Sequence, residues 1–346
     1  MIRRCREDEN LLNCHPERSE GTKKQTMNSK YRIETVDSNN KYEGLRTLWC
    51  EVFGDEPSFV DSMYANFGED ITGYVAVDAD GRVCSALTCF CCGTFEGKPV
   101  YTSYAICTDP ELRGLGLAGS LVETARDDVL SKGGISLISP AEPSLEKFYG
   151  AHGYLPFFFV DKRNTEDGSD EDAEDFIFDE EDDEYAKAEP KMELAPLDYI
   201  GYNKYREEFL ADTPHVRLNE HMLRLVQAES TLPTGESGLL LVNGGDAICA
   251  VNYTDANEED AAEAGGEMRS AMPEIEELLI NPRLSSISSE IADEMACRLA
   301  AHFGQPALRY RVPGASHCQS MAAGLTEEMK EEASAGSPAY YGFPVE

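Results

Sequence analysis

The sequence predicts a mixed α/β protein (α+β, on a mixed sheet) that runs through one order of elements twice. Three observations carry this. Residues 31–163 read as β-α-α-β-β-β-α-β-α-β, and residues 191–346 restart as β-α-α-β-β-β-α-β. A glycine-rich corner, Arg113-Gly114-Leu115-Gly116-Leu117-Ala118 followed closely by Gly119, joins a strand to a helix. An acidic block separates the two runs.

The elements follow in order. Tyr31 to Val36 is the first strand. Tyr42 to Phe53 places Leu45, Leu48, Trp49, Val52 and Phe53 at helical spacing. Gly54-Asp55-Glu56-Pro57 breaks it, and a second helix carries Phe59, Val60, Met63, Tyr64 and Phe67. Tyr74–Val77 and Val83 to Thr94 flank Asp78-Ala-Asp-Gly81 as a hairpin. A turn at Glu96-Gly-Lys-Pro99 leads to the strand Val100 to Thr108, which Asp109-Pro110 ends. After the corner, Leu117, Leu121, Val122, Ala125, Val129 and Leu130 form one apolar stripe, and Gly133-Gly134 closes that helix. Ile135–Ile138 is a short strand, Pro143 to His152 a helix, and Tyr154 to Val160 a strand.

The second run starts with Met192–Leu197 as a strand. Helices follow at Tyr199 to Leu210 and Leu218 to Val226, then a hairpin of Gly238–Val242 and Ala247 to Tyr253 across Asn243-Gly244. Residues 255–272 are an acidic excursion. Ile275 to Ile280 is a strand, Ser285 to Phe303 a helix, Leu308 to Val312 a strand, and Ala339 to Val345 a terminal strand.

The corner carries the chemistry. Gly114, Gly116 and Gly119 let a ligand approach the backbone, and the N–H groups of a first helical turn form an anion site. This predicts a pyrophosphate cradle. It is not a P-loop, which needs a Gly-Lys-Ser/Thr ending. Nor is it a dinucleotide fingerprint, which stands in an early βαβ unit, whereas four strands precede this corner.

The pattern resembles the acetyl-CoA signature of the GCN5-related N-acetyltransferases, Arg/Gln-x-x-Gly-x-Gly/Ala, met by Arg113, Gly116 and Ala118. A second segment, Leu145-Glu-Lys-Phe-Tyr149-Gly-Ala-His-Gly153-Tyr154, is similar to the family's Tyr-Glu-Lys-x-Gly-Phe/Tyr stretch. Here Gly-Ala-His stands between the tyrosine and the glycine, and the departure is at Glu142, where many members carry asparagine. The resemblance implies an acyl-CoA N-acyltransferase fold over residues 27–163, with a degenerate second copy in tandem over 191–346. There Ile280-Asn-Pro-Arg-Leu-Ser-Ser has no glycines for a cradle.

It implies direct acetyl transfer from acetyl-CoA, as co-substrate, to a primary amine of a small molecule or peptide. Backbone groups of Ile106, Cys107 and Thr108 would hold the pantetheine arm. The amides of Gly114, Leu115, Gly116, Leu117, Ala118 and Gly119 would hold the pyrophosphate, with Arg113 adding charge. Tyr149 would be the acid that protonates the leaving thiolate. The base stays open among Glu142, Asp55, Glu56 and the C-terminal carboxylate of Glu346, since the signature strand offers only Ser103 and Tyr104. The rival readings are a non-catalytic acyl-CoA sensor and an interaction protein that uses the acidic segment.

Composition narrows the classes. With 346 residues, two domains are expected. A formal charge of −35 argues against nucleic-acid binding and suits cationic substrates. Between Glu166 and Glu189 fourteen acidic residues face one lysine, so 164–190 reads as a solvated linker. Residues 1–26 lack the apolar core of a signal peptide and read as an extension before Met27. No apolar run approaches the roughly 18 residues a membrane helix requires. Of eleven cysteines, Cys89 and Cys91 share one strand face and Cys92 the other. Buried thiols in a reducing cytoplasm are expected, and a metal site is not.

Overall fold

Helix α1 (Tyr42–Phe53) shows how the apolar spacing becomes structure: Leu45, Leu48 and Trp49 are its buried residues. Gly54 ends it at φ 75°, a left-handed conformation that costs glycine little, and its N–H donates to the Cys50 carbonyl at 2.9 Å. Pro57 opens helix α2 (Pro57–Phe67), where its missing N–H is no loss.

The computed structural model of the chain describes residues 30–36, 41–165, 192–254, 272–284, 288–334 and 339–343. The extension before Met27, the acidic segment beyond Thr165, the excursion at 255–271 and the carboxylate of Glu346 lie outside these residues.

By packing, the chain forms two compact units. The first takes the chain up to Phe159, the stretch His215–Leu225 and everything from Cys318 onward; the second takes Val160–Pro214 and Val226–His317. A boundary drawn after residue 163 and again at 191 would give the two returning stretches to the second half. Backbone pairing holds them in the first. Arg217–Leu218 pairs with Gly93 and Thr94, and Met321 to Ala323 pair with Ile138 to Ser136.

In the first unit the strands are β1 (Arg32–Val36), β2 (Ile71–Val77), β3 (Val83–Phe95), β4 (Lys98–Thr108), β5 (Ile135–Ile138) and β6 (Leu155–Asn164), the last counted here to Phe159. The sheet order is β1-β2-β3-β4-β5, then the strand His317–Ala323, then β6. Neighbours from β1 to β4 are antiparallel, while β4 and β5 run parallel. Glu96 and Gly97 turn the β3–β4 hairpin at φ 47° and 73°. Helices α3 (Leu117–Ser131) and α4 (Ser144–Ala151) cover one face, with Leu87, Cys89, Leu121, Val122, Ile138, Tyr149 and Met321 in one core. Aromatic rings fill the other face: Trp49 lies 5.3 Å from Tyr104, and Phe67 4.3 Å from Phe90.

In the second unit the strands are Leu194–Pro196, Leu239–Val242, Ala247–Thr254, Met272–Ile280, Arg309–Pro313 and the part of β6 from Val160. All neighbours are antiparallel except Met272–Ile280 and Arg309–Pro313, which pair in parallel at Glu274↔Arg309 and Ile275↔Tyr310. Helix Ser288–His302 lays Ala292, Met295, Ala296 and Leu299 on this core. Helix Tyr199–Phe209 brings Tyr202 and Arg206 to Glu277. Arg206 Nε stands 3.1 Å from Glu277 Oε1 and Tyr202 Oη donates to Oε2 at 2.8 Å, all fully buried.

Four local expectations fail. Leu130 is 38% exposed, because at about 100° per residue it falls opposite Leu121 on the helix. Leu218 is in a strand, and the helix begins at Glu220. Ala339 and Tyr340 make single bridges to Phe158 and His215 instead of a strand. The strand His317–Ala323 and the helix Glu327–Ser334 were not expected at all.

Glu277→Ala would leave the Arg206 guanidinium buried beside a missing carboxylate. The expected cost is about 3–5 kcal/mol, read as a lowered urea midpoint.

Candidate active site

The site begins where β4 parts from β5. Their parallel ladder pairs Val100–Ser103 with Ile135–Ile138, and β4 then runs on to Thr108. Against β3, Thr88 pairs with Tyr104 and Ala86 with Cys107, so Ala105 and Ile106 together oppose Leu87. This is a β-bulge, and Ala105 takes φ 50°, a strained value for a residue with a β-carbon. The bulge re-aims the backbone just past the last β4–β5 pair. Ile106 and Thr108 are half-buried. Cys107 is 3% exposed and burial pushes its thiol up to about 12, so only its backbone is available to a ligand.

The end of β4 is fixed by short-range bonds. Ser85 Oγ donates to the Cys107 carbonyl at 2.7 Å and meets Thr108 Oγ1 at 2.8 Å. Asp109 accepts from the Glu111 N–H at 2.9 Å and from Arg82 Nη2 at 2.9 Å. A short 3-10 turn, Pro110–Leu112, then leads into the corner.

Gly114 and Gly116 have φ 80° and 76°, both left-handed, and Gly116 is the residue before α3. No atom lies within 4 Å of the place a β-carbon on Gly114 would take. No side chain caps the N-terminus of α3. Its first N–H groups have no intrahelical acceptor by construction. An uncapped helix start behind two left-handed glycines and open space fits a pyrophosphate. Arg113 is exposed and makes no ion pair among the described residues. Leu115 is 46% exposed, Leu117 is buried and Ala118 half-buried.

Gly119 also has a packing role. A β-carbon there would stand 2.7 Å from His152 Cε1 and 2.8 Å from Nε2. The missing side chain makes room for the imidazole of His152, the residue that ends α4. His152 in turn places Nδ1 3.0 Å from Glu123 Oε1. Neither residue was legible as part of the site, because the pairing joins two helices and no motif encodes it.

Tyr149 lies on α4, 7% exposed, in the core that also holds Leu117 and Leu121 of α3. Burial alone pushes its phenol up to about 12. No hydrogen bond to its hydroxyl is formed among the described residues. Of the carboxylates considered as bases, Asp55 accepts from Trp49 Nε1 at 2.7 Å, and Trp49 packs on Tyr104 of β4. Glu142 is exposed and accepts from Ser144 Oγ at 3.0 Å, and Glu56 is exposed just before α2.

No family model matches the sequence, and no curated protein matches it. Solved structures do. A GCN5-related N-acetyltransferase from Anabaena variabilis ATCC 29413 is 14% identical and superposes with a TM-score of 0.55 over 84% of this chain and 70% of that one. A GCN5-related N-acetyltransferase from Kribbella flavida is 13% identical, with a TM-score of 0.52 over 85% and 71%. A conserved protein of unknown function from Enterococcus faecalis V583 is 12% identical, with a TM-score of 0.53 over 85% and 72%. The chain has the acyl-CoA N-acyltransferase fold of the GCN5-related N-acetyltransferases.

Gly119→Ala should lower stability by roughly 1–3 kcal/mol through overpacking against His152. In a His152→Ala background the sign should reverse, since alanine is favoured over glycine in a helix by about 1 kcal/mol. Thermal unfolding of the four proteins checks both.

Proposed function

We propose that this protein is a cytoplasmic, acetyl-CoA-dependent N-acetyltransferase that acetylates a primary amine of a small molecule or peptide. The observation that carries the reading is the uncapped start of α3 behind Gly114 and Gly116, set beside a bulged β4 that runs on past the end of β5. The backbone of Ile106–Thr108 would take the pantetheine arm as an added strand. The amides from Gly114 to Gly119 and the charge of Arg113 would take the pyrophosphate. The described cysteines are all free thiols, in keeping with a reducing compartment. No helix among the described residues is long and apolar enough to cross a membrane.

In the reaction the neutral amine attacks the thioester carbonyl, a C–N bond forms and the C–S bond breaks. The re-aimed backbone N–H at the bulge is suited to the oxyanion. The Tyr149 phenol supplies the proton to the departing sulfur, and the amine proton leaves to a base or to water.

The second unit is, in this reading, a degenerate copy of the first. Its strands repeat an antiparallel meander followed by one parallel pair, with a register shift between Ala250 and Val251 opposite Glu276. Where the first unit leaves β4 open, Arg311 reaches across to Glu274 at 3.4 Å and Glu276 at 2.6 Å. Charged side chains take the place a pantetheine arm would need.

Thiol release from acetyl-CoA with a panel of polyamines, aminoglycosides, amino acids and peptide N-termini tests the reading. Turnover with at least one is expected, and Gly116→Glu should abolish acetyl-CoA binding. Binding without turnover across the panel would favour an acyl-CoA sensor instead.

Tyr149→Phe should lower kcat by roughly 10- to 1,000-fold. Because burial raises the phenol to about 12, its proton is retained through the ordinary phenol value of 10.0. The wild-type pH–rate profile should therefore show no descending limb below that value from this group. A fall near pH 8 or 9 that vanishes in Tyr149→Phe would contradict it.

A further inference from the structure

Helix α4 is only eight residues long, Ser144–Ala151, and Tyr149 is its one buried residue. A helix this short does not hold its place by propensity, so tertiary contacts must set where it lies. The Tyr149 hydroxyl is not tied down by a hydrogen bond of its own among the described residues. Its position therefore depends on where α4 is anchored.

That anchor is His152. It terminates α4, and its N–H donates to the Tyr149 carbonyl at 2.9 Å. Its side chain, 16% exposed, is gripped by one face of α3. Gly119 gives the ring its space, with Cε1 and Nε2 at 2.7 and 2.8 Å from the missing β-carbon. Glu123 holds Nδ1 at 3.0 Å. Arg126 donates to the His152 carbonyl, and Gly153 at φ 88° lets the guanidinium approach. Gly119, Glu123 and Arg126 are four and three residues apart, hence on one side of the helix. The Phe148 ring closes the remaining side at 4.7 Å between centroids.

We infer that His152 is a positioning residue for Tyr149: it registers the helix bearing the acid against the helix bearing the cofactor cradle. The inference rests on the acetyltransferase reading above. A proton donor must sit within hydrogen-bond reach of the sulfur, and a displacement of about 1 Å at such a group costs on the order of 100-fold in rate.

The test compares kcat, the calorimetric Kd for acetyl-CoA and thermal unfolding in wild type, His152→Ala, His152→Asn, Glu123→Gln, Tyr149→Phe and His152→Ala/Tyr149→Phe. His152→Ala is expected to lower kcat by roughly 10- to 100-fold while Kd stays within about 3-fold, because the cradle amides are untouched. Asparagine can still donate to Glu123, and should restore most of the rate. In the Tyr149→Phe background the same alanine change should cost nothing further, since a residue that acts only through the phenol has nothing left to position.

Equal losses in both backgrounds, or an unchanged kcat, would overturn the inference. So would a loss confined to Kd. If His152→Ala does not fold, Glu123→Gln, at a half-exposed side chain, carries the test: a few-fold loss of kcat in wild type and none beside Tyr149→Phe. Wild type that binds acetyl-CoA and acetylates nothing overturns the acetyltransferase reading along with it. A wild type that turns over and is indifferent to His152 overturns this inference alone.

Discussion

Everything in the first unit is arranged around the parting of β4 from β5. A parallel pair normally continues until one strand ends, and each backbone group along it finds a partner. Here β5 ends at Ile138 and the ladder ends with it at Ser103, while β4 continues past it, bulged at Ala105 and Ile106. The strain at Ala105 is kept by what surrounds it. Ser85 ties down Cys107 and Thr108, Asp109 ties down the turn after them, and Trp49 packs on Tyr104 immediately before the bulge. The open strand edge and the open helix start of α3 are joined by only the eight residues from Asp109 to Gly116. One extended molecule with an amide-rich arm and an anionic end matches both.

The second unit also has one parallel pair, Met272–Ile280 with Arg309–Pro313. Arg311 pairs there with Glu274 and Glu276, and Tyr202 and Arg206 of helix Tyr199–Phe209 form a further buried network with Glu277. Buried ion pairs of this kind contribute little net stability relative to apolar packing. They do specify an arrangement, since removing any one partner strands the others.

Much of this was legible from the residues. Helix Tyr42–Phe53 and the start of α3 at Leu117 follow directly from apolar spacing and glycine placement. The illegible parts share a cause. The strand His317–Ala323 is buried yet carries Gln319 and Ser320, which look like loop residues. Gln319 exchanges hydrogen bonds with the backbone of Gly342, and Ser320 Oγ meets Ser139 Oγ at 2.7 Å. Polar residues can be interior when their partners arrive from distant sequence, and local periodicity cannot reveal that. The packing at Gly119 was hidden for a similar reason: its neighbour across the space is His152, which follows another helix.

The strand His317–Ala323 has a consequence for biogenesis. It sits between β5 and β6, so the first sheet is interrupted until a segment some 180 residues downstream of β5 has been synthesised. At roughly 5–20 residues per second the nascent chain spends about ten to forty seconds with β5 lacking its neighbour. An uncovered parallel-edge strand is a pairing hazard during that interval. The first unit thus cannot complete itself as β5 and β6 leave the ribosome, and a strand made long after them decides when it closes.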